Sequence, residues 1–393
     1  MSAAVPPGPG HPPVPLSARI IGAFEGRFHS VPVIIVLAAI WLFFSTRSDA
    51  YLSSQNITNL VLQIVTTAIL ALGIVFVLLV GEIDLSSAVL SGVCATVVAN
   101  AAVSSGWSLW LALAAGIALG MAAMLVQSLI VVFGVPSLIV TLGGMVVFQG
   151  LLLVVLPPEF TVSVGGTDYA KIASSHLPTG ASFVLAVLVW SGYAFSRWRQ
   201  VSSRQDRVWA AASTLAVGAA VLGGVTVLTR ADGLPLPVLI LGALLVIAAY
   251  ATTSTRYGVH LYAVGGDRDA AQRAGIPVYR MVVYSFLVLG ACAAIAGVID
   301  AARLLSVSNS SGGGSLMLNA IAAAVVGGTS LFGGRGSVWS ALLGALVIGS
   351  INNGVQLLGY SPEVQNFATG GVLVVAVAMD VVITRGSLWP KRA

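Results

Sequence analysis

Two carboxylates stand two residues apart in Gly81-Glu82-Ile83-Asp84-Leu85-Ser86, a short polar break between long apolar runs. An ionised side chain near the centre of a bilayer costs on the order of 3 kcal/mol, so those that persist there tend to serve a function. The stretch admits two readings. At a membrane surface, Glu82 and Asp84 would cap the following helix, with Asp84 or Ser86 at its N-terminus. Deeper in, the same residues would form a break that lines a pathway.

Elsewhere the apolar runs carry amides in place of charges: Gln63, Gln127, Gln149, Asn352, Asn353 and Gln356. Asn352 and Gln356 are one helical turn apart and share a face. Neutral donors and acceptors suit a polyhydroxyl solute that crosses without charge recognition. Glu82, Asp84, Gln127, Gln149, Asn352, Asn353 and Gln356 are therefore the candidate pathway-lining residues. The plainer alternative for the amides is bonding between helices, at roughly 0.6 kcal/mol per contact. Asp300 and Arg303 can pair with each other near a helix end, and Asp380 falls close to the inner surface. A proton- or sodium-coupled carrier would use an ionisable relay at mid-membrane, and an enzyme would use a cluster of His, Asp or Glu. Neither pattern stands in the sequence, so the expectation is a passage without catalysis and without a metal. Cys94 and Cys292 lie in apolar runs and read as small buried hydrophobes.

The run at 319–336, NAIAAAVVGGTSLFGGRG, is built of small residues that let helix backbones approach closely. Gly327, Gly328, Gly333 and Gly334 permit a break in the helix. A phosphate-binding loop needs Lys after its last Gly, and here Gly333 is followed by Gly334 and Arg335. The chain is thus expected to bind no nucleotide or other cofactor, and any energy from ATP must come from a partner.

Residues 252–280 read TTSTRYGVHLYAVGGDRDAAQRAGIPVYR. Gly265 and Gly266 are expected to make a turn and Asp267 to cap a helix over 268–274, which holds Arg268, Ala271 and Arg273. Gly275 fits the position after the helix end, Ile276 follows, and Pro277 cannot continue it. A solvated connector is the plainer reading. So many stop signals point instead to a rigid knob that docks into another protein and carries its motion into the membrane.

Membrane helices must position these residues. Of 393 residues, 58% are hydrophobic and 8% charged, against about 25% charged in soluble domains. Apolar runs of about 20 residues recur, each long enough to cross about 30 Å of hydrocarbon as a helix. Backbone polar groups in lipid must bond within their own segment, so the fold class is all-α, a polytopic transmembrane helical bundle. The runs fall near 31–44, 57–80, 86–103, 107–133, 137–156, 181–196, 208–229, 234–251, 281–302, 318–331, 338–358 and 365–382. Of these twelve expected spans, the first and tenth are short enough to be tilted, broken or re-entrant.

Twelve spans put both termini on one side. With that side cytoplasmic, the outer segments hold only Arg47, Lys171, Arg230 and Arg303, while the other fourteen of the 18 Lys and Arg lie inside, as positive-inside retention demands. Residues 1–30 read as a disordered cytoplasmic tail, 31–382 as the membrane domain and 383–393 as a second cytoplasmic tail. The net charge of +5 is accounted for by this bias, and the basic residues are too dispersed for nucleic-acid binding.

Several stretches resemble a known family, the ribose- and xylose-type permeases of bacterial ATP-binding-cassette sugar importers. GEIDLSSAVLSG looks like its signature after the second span, and VPSLIVTLGGMVVFQGLLL at 135–153 looks like another. YAVGGDRDAAQRAGI is similar to the family's cytoplasmic coupling loop, and NAIAAAVVGGTSLFGGRGSVWSALLGALVIGSINNGVQLLG to its C-terminal motif. The helix pair around 208–251 and the chain length look more like the xylose permeases. Met317 and Asn319 stand where the family commonly has an acidic pair, and SRWRQVSSRQDRVW has no counterpart among these motifs. The resemblance implies a homodimer surrounded by lipid in a bacterial inner membrane. It further implies a cytoplasmic ATPase that binds ATP beneath the coupling loop and an extracytoplasmic protein that delivers the sugar. The alternative is a secondary transporter or facilitator for a neutral small solute.

Overall fold

Serine side chains open two of the long helices. Ser53 Oγ accepts from the Asn56 amide at 3.2 Å and Ser108 Oγ from the Leu111 amide at 3.4 Å, pairing N–H groups that a first helical turn leaves free. The computed structural model describes residues 31–199, 204–230 and 233–385. The tail at 1–30, the centre of the basic loop at 200–203 and residues 386–393 of the C-terminal tail lie outside the described residues.

The first part of the chain forms α1 (Val31–Ser45), α2 (Ser54–Leu79), α3 (Ser87–Ala99, prolonged by a π turn), α4 (Leu109–Val132) and α5 (Ser137–Val155). There follow β1 (Thr161–Ser163), α6 (Lys171–Ser174), β2 (His176–Leu177), α7 (Thr179–Arg199), α8 (Arg204–Thr229), β3 (Leu234–Pro235) and α9 (Leu236–Ser254). The rest comprises α10 (Arg256–Gly266), α11 (Arg268–Arg273), α12 (Val278–Leu304), β4 (Ser306–Ser308), α13 (Gly314–Val326), α14 (Trp339–Leu357) and α15 (Pro362–Arg385). Among the described residues nine helices are long and apolar enough to cross a membrane, and two shorter apolar ones lie at Val33–Ser45 and Ser315–Val326. Together with α15, each expected span falls on one helix.

The core forms around α2 and α12. Gly120 of α4 and Gly290 of α12 meet backbone to backbone, so that a Cβ on either would strike the other's carbonyl. α3 packs alongside, with the Ser91 carbonyl against Gly297. Helices α7 and α8 form a peripheral pair held by Trp190 Nε1 donating to the Thr214 carbonyl at 2.9 Å, whereas α9 joins the core against α2. Two short antiparallel ladders tie the loops, Thr161 opposite Ser308 and His176 opposite Pro235. Outward faces stay apolar: Trp110 is 81% exposed, Phe133 87% and Val154 80%. Patches of that kind suit lipid or another membrane chain, not water.

The tenth span departs from expectation in its bounds. It starts earlier and stops at Val326, and residues 327–338 form no helix. At about 1.5 Å per residue, its 13 residues rise about 20 Å, short of about 30 Å of hydrocarbon. Its N-terminal approach is wedged among membrane helices, with Gly312 against the Ala88 carbonyl and the Ser311 carbonyl against Gly92. It is a half-helix that starts inside the bundle.

Candidate functional site

The knob expected in the 252–280 loop is α11. Asp267 leaves the helical path at φ −157° and ψ 105°, and its carboxylate accepts from the Ala270 amide at 2.8 Å, the geometry of an N-cap. Gly275 takes φ +80°, a conformation that costs other residues a Cβ clash, and the Ile276 amide returns to the Ala271 carbonyl at 3.0 Å. Ala271 is the one buried residue of α11, while Arg268 and Arg273 are exposed. A cleft of about 330 Å³ opens beside it, lined by Val132, Arg268, Gln272, Ile276, Pro277, Val278 and Tyr279.

The expectation of a turn at Gly265 and Gly266 is corrected. Both residues close helix α10, and the chain turns at Asp267 instead. The reason is a backbone contact: a Cβ on Gly265 would run into the Leu79 carbonyl and the Gly334 nitrogen. Glycine is needed there for close approach rather than for bending.

That contact joins stretches far apart in sequence. The Gly334 amide donates to the Leu79 carbonyl at 3.1 Å, and Gly333 lies against the Gly81 backbone and the Gly265 carbonyl. Tyr262 donates its hydroxyl to the Gly336 carbonyl at 3.0 Å. Burial pushes the Tyr262 phenol above its ordinary value, so it remains a donor at neutral pH. The expected helix break is present at the end of α13: Gly327 caps the helix, and Gly328, Gly333 and Gly334 all have positive φ.

Each reading of the carboxylate stretch meets the structure in part: Asp84 caps the next helix, as the surface reading has it, yet is buried, and Glu82 caps nothing. Glu82 lies at the rim, where Arg268 Nη1 donates to its Oε1 at 2.7 Å. Asp84 is deeper and only 1% exposed. Its carboxylate accepts from the Ser86 and Ser87 amides at 3.2 and 2.8 Å and from the Ser86 hydroxyl at 2.7 Å. This caps α3, whose fifth residue, Ser91, meets Gly297 in the last third of α12. The start of α3 is therefore near the middle of the bundle's depth, and residues 80–86 climb to it without a helix. Ile83 is held on the way, its amide donating to Ser137 Oγ at 3.2 Å and its carbonyl accepting from the Thr141 hydroxyl at 3.4 Å.

Of the remaining candidates, Gln127 alone joins the Asp84 group. Gln127 is buried, and its amide oxygen meets the Ser86 hydroxyl at 3.1 Å. Asn353 exchanges hydrogen bonds with Asn56 at 2.9 and 3.1 Å, and Asn352 accepts from the Thr369 hydroxyl at 3.1 Å. Gln149 and Gln356 sit on exposed faces. For Asn352 and Asn353 the plainer role, bonding between helices, is the one the geometry displays. Among the described residues no group of His, Cys, Asp and Glu could hold a metal.

A half-helix, a buried unwound stretch and a capped external helix that meet at one end of the bundle are the parts of a transport machine rather than of an enzyme. Residues 56–377 match the family described as branched-chain amino acid transport system / permease component. The chain belongs to this permease family. At the level of single proteins, it is 37% identical over 383 residues to the xylose transport system permease protein XylH of Escherichia coli (strain K12), covering 95% of this chain and 97% of that one. It is likewise 37% identical over 357 residues to XylH of Haemophilus influenzae, 88% of this chain and 95% of that one. The ribose import permease protein RbsC of Escherichia coli (strain K12) is 32% identical over 352 residues, 89% and 92% of the two chains. No solved structure matches significantly. As a permease the protein is a multi-pass membrane protein and not an enzyme. Sequence reasoning found the three stretches but missed what fastens them: Leu79, Ser137, Thr141 and Tyr262 carry no local signal, because their partners lie tens to hundreds of residues away.

Proposed function

We propose that this permease forms the membrane passage of an ATP-binding-cassette importer for a neutral monosaccharide, with xylose as the solute. The observation that carries the substrate is the 37% identity to XylH over nearly the whole length of both chains, against 32% to RbsC and 29% to the D-allose transport system permease protein AlsC of Escherichia coli (strain K12). Two copies associate, and a separate ATPase docks on α11 and the cleft beside it. A sugar-binding protein delivers the solute to the opposite face. The distribution of Lys and Arg supports cytoplasmic termini, which puts α11 on the ATPase side.

The interior fits a neutral solute. Among the described residues Asp84 is consumed in capping α3, Glu82 in pairing with Arg268, and Asp300 in pairing with Arg303 at 2.9 Å. None of the three stands free of a partner to meet a cationic cargo. Liposomes holding the permease, its ATPase and its binding protein are expected to accumulate radiolabelled xylose when ATP is supplied on the ATPase side. Permease alone is expected to accumulate none. Uptake by the permease alone would make it a facilitator, and ATP-dependent uptake of a charged solute without sugar would discard the substrate.

A further inference from the structure

The ion pair between Arg268 and Glu82 joins the docking helix to the membrane interior by a short path. Arg268 is the first residue of α11, and its guanidinium lies 2.7 Å from a Glu82 carboxylate whose side chain is 8% exposed. Two residues further on, Asp84 caps the buried start of α3, and Ile83 between them is bonded on both its amide and its carbonyl to α5. We propose that Glu82 and Arg268 are positioning residues that carry the displacement of α11 to the buried start of α3 and to α5. The proposal rests on the importer reading and names the link by which ATP-driven motion would reach the pathway.

The argument turns on what each contact can transmit. The contacts of Gly265 and Gly333 are van der Waals, and they resist compression but offer little against separation, while the Gly334 hydrogen bond to Leu79 ties the glycine break to α2 and not to α11. A short charge-assisted hydrogen bond resists both and holds direction as well as distance. Because Glu82 is mostly shielded from solvent, salt screens this pair less than one on an open surface. From Glu82 inward, every step is a covalent bond or a hydrogen bond to a membrane helix. A movement of α11 in either sense therefore displaces the cap of α3.

The test compares the sugar moved per ATP hydrolysed in liposomes holding the complete complex. In Glu82→Gln and in Arg268→Gln, this ratio is expected to fall about tenfold, within the span of couplings measured between contacting residues. In the charge exchange Glu82→Arg with Arg268→Glu, it is expected to recover by at least half. A merely structural role would lower uptake and hydrolysis together and leave the ratio unchanged. An unchanged ratio in both single variants, or a ratio in the exchange no better than in the singles, would overturn the proposal. The wild-type complex separates the levels: if it takes up no sugar with ATP, the importer reading falls and this proposal with it.

Discussion

Gly265 and Gly266 are adjacent and chemically identical, yet the fold treats them differently. A Cβ on Gly265 would overlap backbone atoms of Leu79 and Gly334, which cannot swing aside, while Gly266 has nothing within 4 Å of that position. Gly265→Ala is expected to destabilise the protein by about 1–3 kcal/mol, the usual cost of overpacking, and to reduce uptake. Gly266→Ala is expected to match the wild type in both. Thermal melting of the two purified variants in detergent checks this, and equal losses would contradict the contact. The sequence shows a glycine pair but cannot show which member faces a neighbour, because that neighbour lies nearly two hundred residues upstream. The acid pair was legible to a similar degree. Spacing marked Glu82 and Asp84 as costly, whereas their separation into a rim ion pair and a buried cap depends on Arg268 and on the depth at which α3 begins.

Among the elements, α11 was read almost residue for residue, since Asp267, Gly275 and Pro277 act through local backbone chemistry. The preceding helix was not. Two glycines at a helix end cost about 1 kcal/mol each in propensity, which argues for a turn; the close approach of Gly265 to α2 outweighs it. Proline at 271 would remove the hydrogen bond from the Ala271 amide to the Asp267 carbonyl, 2.9 Å long, at a cost of about 3 kcal/mol. Ala271→Pro is therefore expected to insert in the membrane normally, to lose ATPase in co-purification and to abolish uptake. Wild-type recovery of the ATPase with normal uptake would reduce the loop to a connector. The short α13 was legible as a deficit in apolar length and in the glycines that end it. Its seating against Ala88 and Gly92 needs the tertiary fold.

At the scale of the whole molecule, twelve apolar runs specified the helices, because the bilayer imposes a length rule that a linear sequence carries intact. How those helices cross was not written there, as the backbone contacts of Gly120 with Gly290 and of Ser91 with Gly297 leave no pattern beyond small residues. Orientation is tested with single cysteines at Gln272 and Asp168, both exposed, in a background where Cys94 and Cys292 are buried and silent. An impermeant thiol reagent added outside cells is expected to label Asp168→Cys alone, and labelling at position 272 would invert the topology. The central claim, that a sugar arriving on one face drives ATP hydrolysis in the ATPase docked on α11 at the other, is tested most directly by the ATPase rate of the reconstituted complex. Xylose with its binding protein is expected to raise that rate several-fold over the complex without sugar, and leucine to leave it unchanged. Stimulation by leucine and none by any monosaccharide would contradict the account.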